Sequence, residues 1–157
     1  LMPCNAYGIN DNYDSINSHV IPALIKKIHY AKKNNDSDLT IWGSGKVLRE
    51  FLLVDDLVKC CVKIMTIPRK KYIKIVGNKR SHINIGSGKD LTISKLANKI
   101  CNVIGYKGNI KFDKSYPDGV SRKLLSSAKL KKIIDIKYTS LDEGLKISYT
   151  DFLKKYE

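Results

Sequence analysis

Short apolar runs alternate along this chain with stretches whose hydrophobic residues recur every three or four positions, which restricts it to an α/β architecture. Ile21, Leu24, Ile25 and Ile28 form one helical stripe behind Ser18, a natural N-cap, predicting a helix over 18–34. Pro22 falls in its first turn, where a missing N–H is tolerated. Residues 39–42 and 51–54 have strand character on either side of Gly43-Ser44-Gly45. Asp55 is placed to cap a helix over 55–65 with Leu57, Val58, Cys61 and Ile64 inward. A buried strand is expected at 82–86, then a helix capped by Thr92 with Ile93, Leu96, Ala97, Ile100 and Ile104 on one face. A strand at 109–113 and helices at 127–134 and 141–156 complete the pattern. Residues 3–14, the basic run 69–80 and the polar stretch 114–123 are expected as loops, the last around a Pro117-Asp118-Gly119 turn.

The length, 157 residues, suits one domain with its own core or part of a larger one. No apolar run approaches the roughly 20 residues a membrane-crossing helix needs, and Leu1-Met2-Pro3-Cys4-Asn5 is not a signal peptide. Cys4, Cys60, Cys61 and Cys101 show no CxxC spacing. Adjacent Cys60 and Cys61 point about 100° apart on a helix, so reduced, mostly buried thiols and a cytoplasmic setting are expected. The net charge of +14 favours polyanionic partners. The excess is mostly lysine spread over the whole length, however, without the interleaved aromatics of a nucleic-acid footprint. Solvated surface charge is the better account, and neither nucleic acid nor a membrane is expected as a partner.

The chemistry concentrates in a few positions. His19 stands at the mouth of the first helix, and Trp42 and Arg49 flank the glycine turn. A proton-transfer group, an aromatic platform and a phosphate-binding fork on neighbouring elements suit a nucleotide-sugar site. Blander roles exist for each: a capping imidazole, a packed indole, a surface ion pair from Arg49 to Glu50 or Asp55. No GxGxxG loop follows a first strand, and Gly86-Ser87-Gly88 lacks the third glycine, so a dinucleotide site would have to lie mostly elsewhere. No metal-ligand spacing is present.

From Pro3 to Phe152 the chain resembles the carboxy-terminal, substrate-binding part of the GDP-L-fucose synthase family, extended short-chain dehydrogenases/reductases of Rossmann type. The resemblance is carried by Pro3-x-Asn5-x-Tyr7-Gly8, Asn17-Ser18-His19-Val20-Ile21-Pro22-Ala23-Leu24, Trp42-Gly43-Ser44-Gly45 and Arg49-Glu50-Phe51-Leu52-x-Val54-Asp55-Asp56-Leu57. His82-Ile83-Asn84-Ile85-Gly86, Pro117-Asp118-Gly119, Arg122-Lys123-Leu124-Leu125 and Ser140-Leu141-x-Glu143-Gly144-Leu145 add to it. The Arg-x-Phe…Val-Asp-Asp and Ser-Leu-x-Glu-Gly-Leu pieces recur across nucleotide-sugar epimerases and dehydratases, whereas the His19 block and the Pro-Asp-Gly…Arg-Lys-Leu-Leu block are more specific.

The resemblance implies that residues 1–157 are a substrate-binding domain lacking an N-terminal NADP-binding Rossmann domain. An apolar face should then lie bare where that domain would pack. It also implies epimerisation of GDP-4-keto-6-deoxy-D-mannose at C3 and C5 and reduction at C4 by NADPH, in a complete enzyme that is a homodimer. The fragment alone should be inactive. His19 matches the acid of the epimerisation, with a partner cysteine in the other half. Pro3, Cys4, Asn5 and Ala6, together with His19, match the region reaching the nicotinamide end of NADP(H). Trp42, Arg49, Asp118 and Lys123 match contacts to the GDP-sugar, as does Lys27, where the family commonly has arginine. Cys4 and Ala6 replace the usual threonine and leucine, and Leu53 a common histidine. The rival identities are another nucleotide-sugar epimerase or dehydratase, which lacks the His19 block, and, more remotely, a basic nucleic-acid-binding module.

Overall fold

The computed structural model describes residues 1–14, 17–77 and 81–157. In chain order they form β1 (Met2–Pro3), β2 (Asn5–Tyr7), α1 (Val20–Lys33), β3 (Asp38–Trp42), β4 (Leu48–Leu53), α2 (Val54–Met65) and α3 (Arg69–Val76). Then follow β5 (Asn84–Ile85), β6 (Asp90–Thr92), α4 (Ile93–Ile104), β7 (Asn109–Asp113), β8 (Arg122–Lys123), α5 (Ala128–Lys131) and α6 (Leu141–Tyr156). The mixed α/β architecture is the one expected.

β4 organises the sheets. Its second half pairs in parallel with β2, Asn5 opposite Phe51 and Tyr7 opposite Leu53. Its first half pairs antiparallel with β6 and in parallel with β8, which sets Lys123 opposite Arg49. β3 pairs with β7 and β1 with β5, both in parallel. Side chains alternate across a strand. Phe51 and Leu53 therefore enter one core with α1, α4 and α6, while Leu52 enters a second with Cys60, Ile64, Ile83, Ile85 and Leu130. A strand buried on both faces has a continuous apolar sequence, as this one does.

α1 buries Ile21, Leu24, Ile25 and Ile28, and α4 buries all five residues of its expected face. The Lys95 backbone N–H donates to Thr92 Oγ1 at 3.2 Å, and Gly105 closes α4 in the left-handed region at φ 78°. Thr92→Ala is expected to cost about 1 kcal/mol and lower Tm by about 2–4 °C in calorimetry. α6 begins on Ser140, whose hydroxyl accepts from the Glu143 N–H. All four cysteines are free thiols, with Cys60 and Cys101 buried. Among the described residues no helix is long and apolar enough to cross a membrane.

Several boundaries differ from expectation. Residues 3–14 contain half of β1 and all of β2, because Pro3 and Tyr7 border strand partners far along the chain. The N-cap of α1 is His19 rather than Ser18, and α2 starts on Val54 with Asp55 and Asp56 in its first turn. The inward line of α2 is Asp56, Cys60 and Ile64, so Val58 faces outward with Val62 and Met65. Asp56 is tolerated inside because it accepts from the Thr139 N–H at 2.7 Å and from Lys59 Nζ at 2.9 Å. Residues 69–76 of the basic run are helical: Val76 is buried, half-buried Tyr72 packs on the second core, and Tyr72 Oη donates to the Ser81 carbonyl at 2.7 Å. The rest of the expected loop, at 78–80, lies outside the described residues. The helix expected at 127–134 is shortened to α5, and Ile133 and Ile134 close onto the Leu130 carbonyl in a turn.

Candidate functional site

A cavity of about 680 Å³ opens between the first turns of α1 and the ends of β3 and β4, a volume that suits a small-molecule ligand. Asn5, His19, Lys27, Trp42 and Arg49 all line it. Elements distant in sequence thus bring half of the singled-out residues to one place.

His19 has extended backbone angles, φ −72° and ψ 167°, and its carbonyl accepts the Ala23 N–H at 2.9 Å. Its side chain makes no capping hydrogen bond. The backbone does the capping, and the exposed imidazole is turned over to the cavity.

Trp42 ends β3, where Leu39 and Ile41 point inward and Asp38, Thr40 and Trp42 point outward. It is 64% exposed, so core packing does not account for it. Lys27 Nζ lies 5.8 Å from the indole centroid, a cation over an aromatic face, and burial pulls this ammonium's pKa below its ordinary value. Arg49 donates through Nη1 to the Leu48 carbonyl at 2.8 Å and the Val120 carbonyl at 2.7 Å. Backbone carbonyls, rather than Glu50 or Asp55, anchor the guanidinium. A phosphate would meet its remaining nitrogens.

Asp118 and Lys123 lie outside the cavity lining. Asp118 Oδ1 accepts from the Ser44 N–H at 2.9 Å, and hydrogen bonding from the Ser44 side chain and then its N–H holds the carboxyl below the usual range, helped by the charges of Arg49 and Lys46. The same oxygen would come within 2.7 Å of a Cβ at Gly43, which sits at φ 85°. Only glycine allows this turn to close against the carboxylate. Lys123 is exposed on β8 beside Arg49. Pro3 and Ala6 are exposed on β1 and β2, and Cys4 is half-buried between them. Burial and the Glu50 charge push the Cys4 thiol up to about 11, so it stays protonated and packs rather than reacts. Asn5 bridges inward, its side-chain amide donating to the Glu50 carbonyl at 2.8 Å.

Two structural participants were given no site role from the sequence. Glu50, fully buried, clamps the 86–88 turn and Leu125. Tyr116 stacks on Trp42 with ring centroids 4.4 Å apart and planes 10° apart. The sole sequence signal for Tyr116 is an aromatic residue immediately before the Pro117-Asp118-Gly119 turn.

Residues 1–86 match the NAD dependent epimerase/dehydratase family. The chain belongs to that family. It is 42% identical over 157 residues to GDP-L-fucose synthase of Escherichia coli (strain K12), covering 100% of this chain and 49% of that protein. It is 45% identical over 152 residues to GDP-L-fucose synthase of Sinorhizobium fredii, covering 97% of this chain and 46% of the relative. The chain spans about half the length of the curated relatives it matches, their carboxy-terminal half. Among solved structures, a GDP-L-fucose synthetase from Naegleria fowleri bound to NADP superposes with a TM-score of 0.85 at 27% identity, over 99% of this chain and 46% of that one. The structural neighbours are Rossmann-type extended short-chain dehydrogenases/reductases, so the fold class is theirs.

Proposed function

We propose that this chain is the substrate-binding half of a GDP-L-fucose synthase, with residues 1–157 forming the domain that holds the GDP-sugar. One observation carries the proposal: His19, Lys27, Trp42, Arg49 and Asn5 line a single cavity. The 42% identity to the Escherichia coli enzyme across the whole chain supports the substrate. The bare apolar stripe of Val58, Val62 and Met65 on α2 agrees with a chain that packs against a further half. The complete enzyme is proposed to be a cytoplasmic homodimer, its subunit contacts made largely by that other half.

In this proposal Trp42 offers its face to the base or ribose, while Arg49 and Lys27 bind the diphosphate as fork and point charge. Asp118 acts on the nucleotide side through the Gly43-Ser44-Gly45 turn it braces, with Lys123 adding positive charge nearby. The 4-keto group acidifies the hydrogens on C3 and C5. Epimerisation then needs a base to remove each proton and an acid to return it on the opposite face. His19 is the acid, and the base is a cysteine of the other half. The exposed edge formed by Pro3, Asn5 and Ala6, with Cys4 between them and Asn5 reaching the cavity, fits contact with the nicotinamide end of NADPH alone. NADPH, bound mainly by the other half, would supply the hydride for C4. Without that half, no turnover is expected from this chain.

Calorimetric titration of GDP into this chain should give saturable binding, and Arg49→Ala should weaken it roughly 10- to 100-fold, the worth of charge-assisted hydrogen bonds. Single-stranded oligonucleotides should bind only at low salt. Tight oligonucleotide binding at physiological salt, with none for GDP, would favour a nucleic-acid-binding module instead.

A further inference from the structure

Trp42 is the single tryptophan of the chain. Standing 64% exposed at a strand end, it has no core to fix its rotamer. Its orientation is set instead by Tyr116, whose ring lies nearly parallel at 4.4 Å. Tyr116 is itself 42% exposed, so the stack is not a by-product of core burial. The segment that carries it is tied down at both ends. The Ser115 N–H and hydroxyl both donate to Asp113 Oδ1, Asp118 Oδ1 accepts from the Ser44 N–H, and the Val120 carbonyl accepts from Arg49. These anchors lie at the end of β7, just past the end of β3 and on β4; β3 and β4 border the cavity, and β7 pairs with β3. Trp42 and Lys27 line the cavity and Tyr116 does not. Tyr116 therefore covers the indole face turned away from the cavity, while Lys27 approaches the same ring from within.

We propose that Tyr116 is a positioning residue for nucleotide recognition, holding Trp42 from behind so that the indole face beside Lys27 is presented to the base of a nucleoside diphosphate. The inference rests on the nucleotide-sugar proposal above. An exposed indole free to rotate loses that freedom on binding, and the loss weakens the complex. A stacked partner fixes the ring beforehand. Offset stacking of two rings is the geometry that does this without a hydrogen bond. The positioning belongs to the ring of Tyr116, not to its hydroxyl.

The test uses this chain, with the Trp42 emission as an internal reporter and calorimetry with GDP as the measure of affinity. Tyr116→Ala should lower the steady-state anisotropy of Trp42 and weaken GDP binding by about threefold to tenfold, the range a stacked aromatic pair supports. Its far-ultraviolet circular dichroism should match the parent, since Tyr116 is exposed. Tyr116→Phe should retain parent anisotropy and affinity. Trp42→Ala should weaken binding at least as much, and adding Tyr116→Ala to it should change nothing further, because one residue acts through the other. Parent affinity in Tyr116→Ala, tighter binding, or an additive loss in the double variant overturns the positioning role while leaving the nucleotide proposal standing. A parent chain with no affinity for GDP overturns the nucleotide proposal itself, and the role of Tyr116 with it.

Discussion

Replacing His19 with glutamine in the complete enzyme is expected to slow epimerisation by roughly two to four orders of magnitude, the usual worth of a positioned acid or base. The fold and the GDP affinity should stay nearly unchanged. His19 is exposed, its carbonyl alone caps α1, and its side chain makes no capping bond, so glutamine removes no buried contact. What glutamine cannot do is exchange a proton near neutral pH, which an imidazole can. Incorporation of solvent deuterium at C3 and C5 of the sugar separates this step from hydride transfer. A variant that exchanges and epimerises at the parent rate shows that His19 is not the acid. A variant that unfolds shows that the residue holds up the helix start instead.

What was legible in the sequence followed from periodicity and from local chemistry. The strand at 109–113 and the helix at 141–156 match β7 and α6 residue for residue, because each has a clear apolar pattern bounded by turn or cap residues. β6 and β8 were not legible. At three and two residues they are too short to have a period, and they exist through pairing with β4. α3 was hidden by its charge, since Arg69, Lys70, Lys71 and Lys74 are exposed while Tyr72 and Val76, four apart, make the contacts that matter. α2 was placed correctly, and Leu57, Cys61 and Ile64 do pack on the second core, but Val58 faces outward. Its inward stripe passes through Asp56, and burial of a carboxylate depends on the Thr139 N–H, which is 83 residues away. At the candidate site, His19, Trp42 and Arg49 were singled out from motifs and Lys27 from the family resemblance alone, and the fold does gather them. The bracing roles of Asp118, Glu50 and Tyr116 are tertiary. Each depends on a loop closing over another strand, and no spacing along the chain encodes that closure.

Glu50→Ala should be the most destabilising single change in this chain outside the apolar cores. Alternation along β4 turns Arg49 toward the cavity and Glu50 to the other side of the strand, where it is 0% exposed. There Oε1 accepts from the Gly88 N–H at 2.6 Å and the Ser87 hydroxyl at 3.4 Å, and Oε2 accepts from the Leu125 N–H at 2.9 Å. Gly86 lies so close against the carboxylate that a Cβ there would collide with it. Among the described residues Glu50 forms no ion pair; fixed donors from two separate segments hold its charge. Alanine removes the acceptor of two part-buried backbone N–H groups and opens a void where the fully buried side chain was, at a cost of roughly 3–5 kcal/mol. For a chain of this size that lowers Tm by about 10 °C, readable by calorimetry or by circular dichroism on heating. Glutamine keeps the shape but offers one oxygen where two N–H groups need one each, so it should cost roughly 1–3 kcal/mol. The two clamped segments adjoin β6 and β8, which flank the Arg49 end of β4. A folded Glu50→Gln protein should therefore also bind GDP less tightly, although Glu50 lies outside the cavity lining. A Tm within about 2 °C of the parent for Glu50→Ala would mean that water or a shifted side chain satisfies those donors, and that the clamp is not what secures β6 and β8 to β4.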